Sequence, residues 1–388
     1  MLHTSDWHIG RTFHGHSIDD HVRIVLKAIS DAVREHGVDL VIVAGDVFDS
    51  STPKADAFTM FGDAVRAIRE AGAQIVVTSG NHDGPARLGH MAEFASFGGV
   101  HVRTRLDALA EPVILADEHG DVAIYGIPYL HPEFLQTAHD NYDGTTHATA
   151  LDFAMGLIRA DAGARDVRYV AAAHCFAQNV YATVEDSGAS EERDITRGTL
   201  DLVPVAVFEG PDYVALGHIH GRATLAETVR YSGAPLRFSF GGRNEPRGMW
   251  LVNLGAPGTT ADSTWIDLPV PRGVSRLTGT LDELLAPGAH EEARDDWVEI
   301  ILTDDTMPLD PMRRAQAKFP HAVTVTHRPT DRPDTAVRTY AARVVGRSDT
   351  EIIGEFLAFV RGGEGPSEAE GALVAEALAA LDAKESAR

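Results

Sequence analysis

The strongest limit on how this chain can fold is serial: one short apolar run after another ends in a residue that can hold a metal or move a proton. "DLVIVAGD" ends at Asp46, "QIVVTSGNHD" carries Asn81 and His82, "RYVAAAH" ends at His174, and "YVALGHIH" delivers His218 and His220. The chain opens in the same way, with "LHTSDWHIG" placing Asp6 and His8 behind a few β-prone residues. Each motif alone is weak, since an Asp behind a strand is ordinarily a turn or cap residue. Five such motifs in order are not accounted for by turns.

The same runs constrain the fold. Residues 39–46 read as a continuously apolar strand covered on both faces, and 74–83 as a second buried strand running into a loop. Before the first, Val22, Val25, Leu26, Ile29, Ala32 and Val33 recur at helical spacing over 19–36, and Gly37 is a natural stop. A second helix is expected from about Lys54 to Ala71, entered behind Pro53 and closed at Gly72. This βαβαβ order implies a parallel sheet whose site lies at the strands' carboxyl ends. With further strands expected at 113–116, 122–126, 168–173, 213–217, 249–254 and 264–268, residues 1–270 read as one large α/β domain. The opening strand is short, as if one or two residues preceded Met1 in closer relatives.

After "PVPRG" at 269–273 the rhythm changes. Apolar runs at 297–302 and 322–327 flank a helix near 308–318, a small β-α-β unit within 271–345. Residues 346–388 hold two helices, 349–361 and 367–385, joined by a "GGEGPS" hinge.

Composition removes several classes. No apolar run approaches the roughly 20 residues of a membrane-spanning helix, and no signal peptide is evident. The single cysteine, Cys175, excludes an internal disulfide and fits a reducing cytoplasm; it reads as a buried small residue. With 57 Asp+Glu against 34 Lys+Arg, the formal charge of -23 opposes a chain that coats DNA by bulk electrostatics. A local cationic groove, bound metals or a basic partner would supply what net charge does not.

The spacing has a chemical reading. In an extended D-x-H the two side chains face the same way, so Asp6 and His8 can grip one ion, and His218 and His220 can serve neighbouring ions. Asp46 can bridge through its two oxygens, and Asn81 offers a neutral oxygen. Mixed O/N ligation without thiolate suits manganese, iron or zinc. Two such ions about 3.5–4 Å apart clamp the attacking and leaving oxygens of a phosphoryl displacement, which points to phosphate-ester hydrolysis.

The ordered motifs D-x-H, GD, GNHD, H and GHxH resemble the calcineurin-like metallophosphoesterase superfamily, which implies a four-layer α-β-β-α sandwich around a dinuclear metal centre. Within it, "HTSDWHIG", "VIVAGDVFD" and "YSGAPLRFSF" resemble the SbcD family of bacterial nuclease subunits. That resemblance covers 1–270 closely and the rest in architecture. It implies one metal held by Asp6, His8, Asp46 and His220 and a second by Asp46, Asn81, His174 and His218, with Mn2+ the first choice. It makes His82 the residue that faces the scissile phosphate and stabilises or protonates the leaving oxygen. Asp49, where some archaeal relatives carry a second histidine, would orient His82 or else be a loop carboxylate; Asp83 would be a partner of His82 or a turn residue. The implied activity is exonucleolytic and endonucleolytic DNA cleavage with an SbcC-like ATPase, on duplex ends and hairpins in recombination and repair.

The family layout adds a small α+β capping domain at 271–345 and partner-binding C-terminal helices at 346–388. Ile352, Ile353, Phe356, Leu357, Phe359 and Val360 make the first helix more apolar than a solvated tail needs, and Leu373, Val374, Leu378 and Leu381 line the next. Homodimerisation through the catalytic domain, within a heterotetramer on the nucleoid, is implied by the family alone. Phe13, His14, His16, Arg193 and Arg197 could meet DNA, or be solvated loop residues. The alternative function is a metallophosphodiesterase for small substrates, which would share every ligand; a scaffold that has lost its metals is disfavoured because no ligand position is missing.

Overall fold

The computed structural model describes residues 1–178, 202–241, 246–329, 347–361 and 364–386. Arg193 and Arg197 lie outside the described residues. Two compact units emerge, Met1–Gly273 and Val274–Arg388, so that 271–345 and 346–388 fall together in the second but for its first three residues.

The first unit is built on two six-stranded sheets. In the first, Leu2–Thr4, Leu40–Ala44 and Gln74–Thr78 run parallel, as the βαβαβ order requires, and Val100–Arg103 extends them. Gly248–Asn253 and Asp262–Asp267 complete the other edge antiparallel. The second sheet runs in the order Ala223–Thr224, Val229–Tyr231, Tyr213–Gly217, Arg168–His174, Gly120–Ile127, Val113–Asp117. Its Arg168–His174 strand is parallel to both neighbours, and Gly217 is paired with His174.

Alternation along each strand decides the layers. Leu40, Ile42 and Val76 of the first sheet pack against Val122, Ile124, Val170, Ala172 and Ala215 of the second. Val41, Val43, Ile75 and Val77 point the other way and are equally buried, on the side of the helices Asp19–Glu35 and Ala55–Glu70. Those helices bury Val22, Val25, Leu26, Ile29 and Val33 from the first and Met60, Ala64 and Ile68 from the second, the larger of them stabilising by about 1.5–3 kcal/mol each. On the far face of the second sheet, Tyr125, Ile127, Ala171 and Ala173 meet the helices Pro132–Ala138 and His147–Arg165. The result is the four-layer α-β-β-α sandwich.

Three elements of this unit carry weak sequence signals. Val100–Arg103 and Val229–Tyr231 are short edge or near-edge strands. The helix His147–Arg165 buries Ala150, Leu151, Ala154, Met155, Ile158 and Ala162, a face of mostly small residues that gives little hydropathic contrast. Its clearest mark is the Thr146 cap, which accepts from Thr149 N–H at 3.2 Å.

In the second unit, strands Trp297–Leu302 and Ala322–His327 and helix Pro311–Lys318 stand where the pattern put them. An additional strand, Val274–Gly279, pairs parallel to Trp297–Leu302, making a three-stranded sheet. Leu281, Leu284, Ile300, Leu302, Ala315 and Phe319 form its core. Helices Asp349–Val360 and Glu368–Ser386 follow, tied to each other by two hydrogen bonds from Arg361 to Glu370 at 2.8 and 2.9 Å. They expose Phe356, Phe359, Val360, Leu373 and Leu381.

Candidate metal centre

Strands Leu2–Thr4, Leu40–Ala44 and Gln74–Thr78 end within a residue of one another, and the second sheet brings His174 and Gly217 abreast. Asp6, His8, Asp46 and His174 are buried, although they are polar, and cluster where these strands stop. Burial of that much polarity is costly unless the groups are paired or something is bound to them.

The local backbone differs from the extended D-x-H expected from sequence. Asp6 and His8 take left-handed φ values of 52° and 43°, and Asp46 and His218 also have positive φ, 50° and 105°. Such conformations cost about 1–3 kcal/mol each for non-glycine residues. Tertiary hydrogen bonds hold them: Asp6 N–H donates to Gly45 O at 3.0 Å, His8 N–H to Asp46 O at 3.0 Å and Ile9 N–H to Val47 O at 2.9 Å. Asp6 and His8 thus converge because their loop is zipped to the next one, not because a strand alternates.

The glycines of GD and GHxH have a steric reason. A Cβ on Gly45, at φ 84°, would enter the His174 ring, and one on Gly217 would overlap the Ala44 carbonyl oxygen. Only a bare backbone lets the two sheets deliver Asp46 and His174 to one place.

The donor atoms form two overlapping sets. On one side, His8 Nε2 lies 2.9 Å from His220 Nε2 and 3.6 Å from Asp46 Oδ2, with Asp6 Oδ1 4.0 Å from His220 Nε2. On the other, His174 Nε2 lies 3.3 Å from Asp46 Oδ2 and 3.1 Å from Asn81 Oδ1, which is 3.0 Å from His218 Nδ1. Asp46 is common to both. His174 Nδ1 donates to Ala44 O at 2.8 Å, since a carbonyl can only accept, and this turns Nε2 toward Asp46 and Asn81.

Electrostatics point the same way. Burial opposes protonation of His174, but the adjacent Asp46 carboxylate outweighs it and raises the imidazole to about 9. His8 is pushed below its ordinary value by burial, against the pull of Asp49 and Asp46. Asp46 itself is held well below the usual carboxylate range, burial being overcome by His174 and His8. This is a pocket that attracts positive charge, with carboxylate, amide and imidazole donors and no thiolate within it. The donor set fits divalent ions of the manganese, iron or zinc type.

His82 sits at the rim, half-buried. Its N–H donates to Asp46 Oδ1 at 2.9 Å, and its Nδ1 donates to the main-chain oxygen of Asp49 at 3.0 Å, leaving Nε2 for a substrate. The Asp49 carboxylate Oδ1 lies 3.4 Å from both His8 Nδ1 and Arg11 Nη1, and Asp49, His8 and His82 bring donor atoms within 4.8 Å of one another. Asp83 acts as a tie between loops. Its carboxylate accepts from Val47, Phe48 and Gly80 N–H groups at 2.9–3.1 Å, while burial and the charge of Asp46 raise its pKa to about 6.

Several neighbours of the site carry no signal in the local pattern. Ser5 Oγ donates to the Asp6 carboxylate and lies 2.8 Å from Ser232 Oγ, which gives the "YSGAP" stretch a place behind the first set. Phe238 packs its ring 5.3 Å from His8 and 5.6 Å from His220, with Arg11 above it at 4.7 Å. Tyr129 borders the second set, its ring 6.3 Å from both His174 and His218. Phe13 is buried, and His14 lies 5.1 Å from Phe240, in the loop that follows the first motif. Cys175 is buried in the core of the second sheet, where burial pushes its thiol up, away from nucleophilic use.

Residues 1–222 match the family model of the calcineurin-like phosphoesterases, and residues 270–361 match that of the Type 5 capsule protein repressor C-terminal domain. Two curated relatives from Escherichia coli, of strains K12 and O157:H7, are each named as the SbcD component of the SbcCD nuclease. Each is 31% identical over 336 residues, covering 82% of this chain and 81% of its own.

Proposed function

The chain belongs to the calcineurin-like phosphoesterase family, in the branch of the SbcD nucleases, and from this membership we propose that it is a metal-dependent DNA nuclease that works with an SbcC-like ATPase. The observation that carries the reading is the pair of donor sets sharing Asp46, with His82 hydrogen-bonded to the same carboxylate.

Asp6, His8, Asp46 and His220 would hold one ion, and Asp46, Asn81, His174 and His218 the other, with Mn2+ as the ion that would serve the reaction. When bound, the ions activate water and neutralise charge on the phosphate. The chain's own residues do the rest. Asp49 O fixes the Nδ1–H of His82, so Nε2 is the atom that stabilises and protonates the leaving oxygen. Asp83 holds the GD and GNHD loops in register, so that Asp46 and Asn81 arrive together.

Duplex ends and hairpins in recombination and repair are the substrates, reached by exonucleolytic and endonucleolytic cleavage. The exposed Phe356, Phe359, Val360 and Leu373 support a partner surface on the C-terminal helices for the ATPase. Exposed Met91, Phe94 and Phe97, the last at 85%, support a homodimer through the nuclease domain, and so a heterotetramer with the ATPase. Among the described residues no helix is long and apolar enough to cross a membrane; the site of action is the cytoplasm, at the nucleoid.

The test is cleavage of end-labelled duplex DNA in manganese, with and without the ATPase and ATP, with His82→Ala as control. Manganese-dependent cleavage lost in the variant supports the reading. Hydrolysis of a small phosphodiester with DNA left intact under all conditions would overturn it in favour of a small-substrate enzyme.

A further inference from the structure

Beside the second donor set lies a group of rings contributed by Tyr129, His131, Phe134 and His147. Tyr129 is half-buried, with its ring 4.9 Å from His131 and 5.2 Å from His147. His131 is exposed and lies 5.3 Å from Phe134, which is itself 59% exposed. None of the four belongs to the apolar cluster beneath, which takes Leu130 and Leu135 from the same segment. An aromatic pair left in water beside a polar ring gains little from folding.

The group is fixed to the centre by backbone. Tyr129 N–H donates to Ser79 O at 2.8 Å, so this residue rides on the loop that delivers Asn81. His131 precedes Pro132 at the start of one helix, and His147 opens the next behind the Thr146 cap. The rings therefore keep their place relative to His174 and His218, and Tyr129 is continuous with both.

We infer that Tyr129, His131, Phe134 and His147 form a subsite on which a nucleobase next to the scissile phosphate stacks, on the side of His174 and His218. The inference rests on the nuclease reading and adds to it what the site grips besides phosphate. A base has an apolar face and polar edges, and edge-to-face rings with polar imidazole rims match both. Because every base has a π-face, such a platform is tolerant of sequence, as an enzyme for DNA ends requires. Stacking of this kind is worth about 1–3 kcal/mol per base, or roughly 5- to 150-fold in binding.

The experiment compares wild type with the double variant His131→Ala/Phe134→Ala, both exposed positions, on duplexes that are intact or abasic at the nucleotides flanking the cleaved linkage. On intact DNA the variant is expected to lose about tenfold in kcat/KM. On abasic DNA the wild type loses a similar factor and the variant loses no more, because ring and base act as one pair. Phe134→Tyr, which keeps the ring, retains the wild-type rate. Equal losses on intact and abasic DNA, or no loss at all, would overturn the subsite while leaving the nuclease intact. A wild type that hydrolyses a small diester but never DNA would overturn the nuclease reading itself, and the subsite with it.

Discussion

The Nε2 atoms of His8 and His220 face each other at 2.9 Å across the two sheets, brought there from positions 212 residues apart in sequence. Without an ion, one must carry a proton and donate it to the other. With an ion, both lone pairs have a use.

Divalent metal should therefore stabilise the stripped protein. At a hundredfold excess over Kd one site contributes about 2.7 kcal/mol, and thermal unfolding in manganese should shift upward and be reversed by a chelator. Asp46→Asn, which weakens both sets at once, should lose most of that shift. A melting temperature indifferent to manganese, iron and zinc would contradict the assignment of these donors.

Asp49 and His82 should separate kinetically. The main-chain oxygen that holds His82 survives in Asp49→Ala, whereas the carboxylate beside His8 Nδ1 does not. That variant is expected to need about 10- to 100-fold more metal for half-maximal activity and to recover at saturation. His82→Ala should lose about 100-fold or more in kcat at any metal concentration. Titrating manganese against DNA cleavage for both variants distinguishes them; a loss in Asp49→Ala that metal cannot restore would show that its carboxylate acts on His82 after all.

Gly217→Ala should be destabilising by about 3 kcal/mol, near the upper end for overpacking, because its Cβ would overlap the Ala44 carbonyl with His174 and Ser5 on either side. Chemical unfolding monitored by circular dichroism reads this directly. Gly221→Ala, with nothing near its Cβ, should stay within about 0.5 kcal/mol of wild type.

His3 should make the fold sensitive to mild acid. Fully buried, it lies 2.9 Å from the Tyr213 hydroxyl and 3.1 Å from Leu216 O, and burial lowers its pKa to about 3 from 6.5. The unfolded chain takes up a proton that the native ring refuses, so its contribution is intact above pH 6.5 and is lost as pH falls toward 3. By about pH 5 that loss amounts to about 2 kcal/mol. Urea midpoints measured for the metal-free protein between about pH 7.5 and 5 should fall less steeply in His3→Gln than in wild type, if the buried ring is what resists the proton; parallel curves would refute the assignment.

Local sequence is enough to say which residues the strands carry to their ends and in what order, because an apolar run followed by a ligand states both burial and position. The parallel βαβαβ start and part of the small C-terminal sheet were legible in this way, as was the order in which the seven candidate donors and His82 reach the strand ends. Local pattern could not decide what depends on atoms far apart in the chain. The left-handed turns at Asp6 and His8 exist because their N–H groups pair with Gly45 and Asp46. The role of Asp49 depends on which of its oxygens meets His82, and that of Asp83 on three N–H groups from two loops. The Tyr129 group forms only when two helix starts come beside the strands that carry His174 and His218. Hydropathy is written residue by residue, whereas side-chain direction, hydrogen-bond partner and charge environment are properties of the packed whole, and those were left to the folded chain.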